Sequence, residues 1–273
     1  MENVRVVLGE THVSVEIHGS GEKTFLLLHG IPGWRGTWSQ VARHLSASGT
    51  VLVPDLLGFG DSGPPGADFH ATGHAAALLA MLEARGISAV HLVGFDFGGP
   101  TACTLLRIAP SRVRSLTLIA TNVFPDTPIP GPLRIASVPI LGDAAFRLMM
   151  GRTGLSMMWL VAVKNRKAFP WFRYRLALTP GGVRWTRRIF LCSLRHLDRL
   201  YRPIQKGLAG IDVPVTVIWG AADPFVPRAV GRRTAASIPG ARYVEVPECG
   251  HFVPEEHPEA VLREVHLTAS ASS

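Results

Sequence analysis

An α/β fold is the expectation: a mostly parallel, twisted sheet with helices on both faces and one inserted helical segment. Three observations predict it. Short runs apolar at every position recur along the chain, and segments of helical length separate them. The rhythm then breaks after Ala120 for about ninety residues before the next such run. A structureless loop of that length inside a domain is uncommon.

The elements follow in order. Val4 to Leu8 and His12 to His18 alternate apolar and polar residues and predict an antiparallel edge hairpin. FLLLHG at Phe25, TVLVPD at Thr50, AVHLVGFD at Ala89, SLTLIA at Ser115 and PVTVIWG at Pro214 predict strands buried on both faces. RYVEVPE at Arg242 alternates more. Gly36 to Ser48, Ala67 to Arg85 and Gly98 to Ala109 predict the covering helices. Helical pieces inside the long interval are predicted at Gly142 to Met150, Leu155 to Lys164 and Val183 to Leu200. The domains are therefore residues 1–124 and 211–273 as a core and residues 125–210 as a helical insertion.

With 273 residues, 47% of them hydrophobic and 18% charged, the chain suits one well-buried domain and departs from the disordered signature. Cys103, Cys192 and Cys249 are widely spaced and odd in number, which argues against a disulfide framework or a zinc site. No leader pattern and no run of eighteen apolar residues occurs, so a soluble, cytoplasmic protein without a transmembrane segment is expected. The net charge of +8 is concentrated between Pro125 and Gly210, which hold 15 Lys and Arg against 3 Asp. That surplus is either a solvated face or a surface attracting an anionic substrate, carrier protein or membrane. No nucleic-acid-binding motif accompanies it.

Functional groups of open α/β sheets gather at the carboxyl ends of strands. There the chain carries His29-Gly30-Ile31-Pro32-Gly33, then Gly94-Phe95-Asp96-Phe97-Gly98-Gly99, then Asp223, then His251. Each alone has an ordinary reading. Asp96 would cap a helix, Asp223 would serve a turn, and His29 and His251 would be structural. An acid, a second acid and a histidine at successive strand ends of one sheet form a far more specific set.

With those residues in place, the chain resembles the α/β-hydrolase fold family over nearly its whole length. The order Asp96, Asp223, His251 resembles that family's nucleophile, acid and base. HGIPG resembles its oxyanion-hole turn, PDLLGFGDS at Pro54 to Ser62 a recurrent loop, and the insertion its cap domain. The resemblance implies that Asp96, Asp223 and His251 are catalytic and that the backbone N–H groups of Ile31 and Phe97 form the oxyanion hole. No metal and no organic cofactor is implied.

A serine at the turn suits attack on a carbonyl, whereas an ionised carboxylate suits displacement at saturated carbon. His251, oriented by Asp223, would then activate water against the Asp96 ester. Within the family an aspartate here resembles epoxide hydrolases, haloalkane dehalogenases and fluoroacetate dehalogenases. Departing halides need N–H donors, and Phe97 and Ile31 have no side-chain donor. The D-R-G-G pattern of the fluoroacetate enzymes is replaced by D-F-G-G-P. Epoxide hydrolysis is therefore expected, with haloalkane dehalogenation as its rival and a non-hydrolytic biosynthetic enzyme or binding protein as a third reading. Tyr174 and Tyr201 are candidates to donate to the epoxide oxygen, with His196 or a tryptophan of the insertion as substitutes. Trp34 and Phe95 are candidates to line a pocket for a small hydrophobic molecule, and the basic insertion would admit an anionic group on it.

Overall fold

Eight strands form one sheet in the order β1-β2-β4-β3-β5-β6-β7-β8. They are β1 (Glu2–Leu8), β2 (Thr11–His18), β3 (Thr24–Leu28), β4 (Thr50–Pro54), β5 (Val90–Phe95), β6 (Val113–Ile119), β7 (Val215–Gly220) and β8 (Arg242–Val246). β2 runs antiparallel to β1 and β4, and every later pairing is parallel. The computed structural model describes residues 1–128, 131, 134, 138, 141–176 and 180–272, without the side chains of 141, 143, 174–176, 180–183, 194 and 195.

The strand sequences are apolar throughout because alternate residues enter two different cores. Leu26 and Leu28 of β3, Leu92 of β5, Leu116 and Leu118 of β6 and Val217 of β7 pack into one cluster. α2 (Ala71–Ala84), α3 (Gly98–Ile108) and α9 (Arg228–Ala236) close that face with Leu78, Leu105 and Val230. Phe25, Leu27, Val93, Phe95, Ile119 and Ile218 point the other way. Val41 of α1 (Ser39–Leu45) and Val261 of α11 (Pro258–Ser270) cover them. The edge strand β1 exposes one face and keeps the alternation expected of it.

Between β6 and β7 the chain leaves the sheet for α4 (Leu141–Met149), α5 (Arg152–Ala162), α6 (Trp171–Leu176), α7 (Pro180–Arg195) and α8 (Leu197–Gly207). Phe146, Met150, Leu155, Val163 and Phe169 form a separate small core there. The single helix expected over Val183 to Leu200 is two. The chain breaks at His196, whose φ of −133° leaves the helical region while its N–H is shared between the carbonyls of Cys192 and Ser193. Among the described residues no helix is long and apolar enough to cross a membrane.

Candidate active site

Asp96 occupies the sharp turn between β5 and α3 with φ = 50°, an unusual conformation for a residue with a side chain. The turn is wedged in place. A Cβ on Gly98 would strike the Leu28 carbonyl, and one on Gly99 would strike Thr121. Asp96 N–H donates to Ile119 O at 3.0 Å, and Thr121 Oγ1 donates to Asp96 O at 2.6 Å. Helix capping does not use the carboxylate: Phe97 precedes α3, and no side chain caps that helix.

The side chain turns instead toward the Gly-rich loop after β3. Ile31 N–H donates to Asp96 Oδ1 at 2.8 Å. A Cβ on Gly30 would collide with the Asp96 side chain, so this approach requires glycine. His29 holds the loop as a structural residue. Leu56 N–H donates to its Nε2 at 2.9 Å, leaving the proton on Nδ1, which donates to Gly30 O at 2.8 Å. Asp55 binds both the Arg35 N–H and its guanidinium, tying this loop to the next. Of the two expected oxyanion donors, Ile31 reaches the carboxylate. Phe97 makes no hydrogen bond to it among the described residues.

The third and fourth strand ends complete the arrangement. Asp223 follows β7 with its side chain fully buried, and its Oδ1 accepts the N–H groups of Phe225 and Val226 at 2.8 and 3.1 Å. His251 Nδ1 donates to Asp223 Oδ2 at 2.8 Å, and its Nε2 stands 3.5 Å from Asp96 Oδ2. The rings of Phe95, Phe225 and Phe252 surround the imidazole at 5.1 to 5.3 Å. Burial alone would lower the pKa of His251, but Asp223 and Asp96 outweigh it and raise the pKa to about 10. The imidazole thus lies between two acidic side chains that both favour its protonated form.

Asp96 is the most open of the three, with 23% of its side chain exposed, and it faces a cavity of about 500 Å³. Phe95, Phe97, Ile189, Phe225 and a group of methionines, Met149, Met150, Met157 and Met158, make the lining largely apolar. Tyr201 of α8 also lines it, and burial and the charge of Asp96 both push its phenol above the ordinary range. No Lys, Arg or Trp belongs to the described lining, so the basic charge of the insertion does not enter the cavity there.

Several expected residues lie elsewhere. Trp34 is not part of the lining; its ring packs over Gly36 and under the Arg35 guanidinium at 5.7 Å. His196 is exposed at the helix break. Tyr174 belongs to α6, but its side chain lies outside the described residues. Two acids that carry no motif in the sequence, Glu255 and Glu256, stand beside His251 in α10 (Val253–Glu256). Glu255 is buried and lines the cavity, and its Oε2 has no hydrogen-bond partner among the described residues. Burial pushes its carboxyl up to about 8 against hydrogen bonding from Thr37 and the charge of Arg173. Glu256 accepts the N–H groups of Gly250, Lys164 and Asn165, fastening the histidine loop to the insertion.

A family model described as the alpha/beta hydrolase fold matches residues 23–139 and 156–258. A 2-hydroxy-6-oxononadienedioate/2-hydroxy-6-oxononatrienedioate hydrolase of Paraburkholderia phymatum is 27% identical over 94% of this chain and 91% of its own length. Among solved structures, the epoxide hydrolase CorEH superposes with a TM-score of 0.80 at 21% identity, covering 98% of each chain. The 2-hydroxy-6-oxo-6-phenylhexa-2,4-dienoate hydrolase of a Rhodococcus superposes with a TM-score of 0.84 at 23% identity over 99% of each chain.

Proposed function

From a chain that belongs to the α/β-hydrolase fold family, and so to a class of hydrolases, we infer an enzyme that opens an uncharged, lipophilic epoxide with water through an ester on Asp96. One observation carries the reading: a carboxylate, held by Ile31 N–H on one oxygen and facing the His251 imidazole with the other. An ionised carboxylate needs no base to become a nucleophile, and displacement at saturated carbon is the reaction it suits.

In the first step Asp96 Oδ2 attacks an epoxide carbon, the carbon–oxygen bond of the ring breaks, and the Tyr201 hydroxyl gives its proton to the released oxygen. Esterification removes the negative charge of Asp96, which had raised both the His251 and the Tyr201 pKa. His251 then gives up one proton and the Tyr201 phenolate takes one up through solvent, so the imidazole and the phenol are both neutral. Neutral His251 takes a proton from water as the oxygen attacks the ester carbon. Oδ1 carries the tetrahedral negative charge against Ile31 N–H, a contact worth about 3 kcal/mol in comparable sites. Collapse breaks the ester carbon–oxygen bond, the proton of the new carboxyl group passes to the leaving alkoxide, and the diol departs from a carboxylate and an imidazolium.

The described lining favours epoxide over halide, because it contains one phenol and no indole. The relatives named as dienedioate hydrolases act on dianions, which a largely apolar lining with no Lys or Arg among its described residues does not suit. The deciding experiment uses His251→Gln with a panel of aryl and alkyl epoxides, followed by intact mass. The expected result is a gain equal to the whole epoxide, mapped to Asp96. A haloalkane adduct with halide release and no epoxide adduct would reassign the reaction to dehalogenation. Wild-type turnover with no adduct in the variant would exclude the covalent route.

A further inference from the structure

The outer face of α5 is apolar where solvent should find polar residues. Leu155 and Ala162 are buried, whereas Met157, Leu160 and Val161 are exposed on the opposite side. Leu148 of α4 and Phe172 of α6 add side chains that are 73% and 63% exposed. α4 abuts the start of α5, since a Cβ on Gly154 would strike the Met149 carbonyl, and Trp159 meets Trp171 edge to face at 6.1 Å. These apolar residues therefore stand on adjoining helices of one small core. Such patches usually mark a binding surface.

Two further observations select the occupant. Exposed cations flank the apolar residues of α5 in the chain: Arg147 and Arg152 before them, and Lys164, Arg166 and Lys167 after them, with the Arg166 guanidinium lying over the Trp159 ring at 5.4 Å. No Asp or Glu occurs in the chain between Asp143 and Asp198, so this stretch is strongly basic. Met157 and Val161 also line the cavity, so the patch borders its opening. A second copy of this chain is a poor partner, because a two-fold interface would set these cations against their own images. An anionic bilayer satisfies both features, with headgroup phosphates for the cations and the acyl boundary for the apolar side chains.

We propose that the outer face of α4, α5 and α6 is a membrane-docking surface for anionic lipid, which places the cavity opening against the bilayer. A lipophilic substrate then passes from the acyl region into the methionine-lined cavity without crossing water. Docking does not depend on the reaction assigned above and is scored without substrate.

The test is flotation of the full chain with vesicles of phosphatidylcholine alone or with added phosphatidylglycerol. Binding to the anionic vesicles and not to the neutral ones is expected, weakening with salt. Removing Lys164 and Lys167 as K164Q/K167Q should weaken it about fivefold per lysine. The triple variant Leu148→Ser, Leu160→Ser, Phe172→Ser changes only exposed side chains and should retain the wild-type thermal transition while losing most salt-resistant binding. Absence of wild-type binding at low salt overturns the proposal. Wild-type flotation by the triple variant overturns insertion, and a dimer that this variant abolishes assigns the face to a second copy. Retention on heparin without flotation would assign it to a soluble polyanion.

Discussion

His251 Nε2 stands 3.5 Å from Asp96 Oδ2, while its other nitrogen is committed to Asp223 at 2.8 Å. Asp223 does most to favour the protonated imidazole, and the charge on Asp96 adds to it. Removing that charge as Asp96→Asn should lower the imidazole pKa from about 10, and an NMR pH titration of His251 would follow the change. Asp223→Asn should lower it as well. An unchanged titration in Asp96→Asn would separate the two residues and remove the charge coupling on which the second half-reaction depends.

Tyr201→Phe keeps the ring and its packing in the cavity but deletes the proton donor. The rate of Asp96 alkylation by an epoxide, measured in a single turnover on the His251→Gln background, should fall roughly 100-fold. Displacement of a halide needs no such proton and would be spared. Equal losses for both substrates would mark Tyr201 as a shaping residue only.

Much of the fold was legible because its strands carry a simple signal. Residues such as Leu26 and Leu27 enter cores on opposite faces, so the whole run must be apolar. The set Asp96, Asp223 and His251 was legible from its order alone, and its members do converge. Trp34 lies outside the lining because its ring turns onto Gly36, a direction that position in the chain does not encode. Glu255 was invisible for a related reason. A pair of acids at the first turn of a helix usually reads as solvated dipole partners, and only the fold buries them beside Phe252 and Thr37. The largely apolar character of the cavity was hidden as well, since the arginines of the insertion dominate its sequence but not its described inner surface.

Glu256 joins two parts of the molecule that the sequence separates by about ninety residues. Its carboxylate accepts Gly250 N–H at 3.1 Å, Lys164 N–H at 2.7 Å and Asn165 N–H at 2.9 Å. Glu256→Gln puts an amide donor against these donors and should destabilise the protein by about 2–3 kcal/mol in urea unfolding. Because Gly250 precedes His251, kcat should fall more than KM rises. A variant with wild-type stability would show that these three hydrogen bonds are not what fastens the insertion.

Glu255 makes stability depend on pH in a direction opposite to most carboxylates. An unfolded chain releases this proton near pH 4.5, whereas the folded protein holds it until about pH 8 because burial disfavours the charged form. Across that window the folded state binds more protons than the unfolded state, so stability falls as pH rises. The slope from this one group is at most about 1.4 kcal/mol per pH unit. His251 is also raised, so its stabilisation is full below about pH 6.5 and is lost as pH climbs toward 10. The two overlap, and the difference between wild type and Glu255→Gln isolates the acid. Urea unfolding at pH 5, 6.5 and 8 should show the variant gaining on wild type at each step. Parallel curves would mean that Glu255 is ionised in the folded protein at neutral pH, and that the cavity holds an anion rather than a neutral acid beside His251.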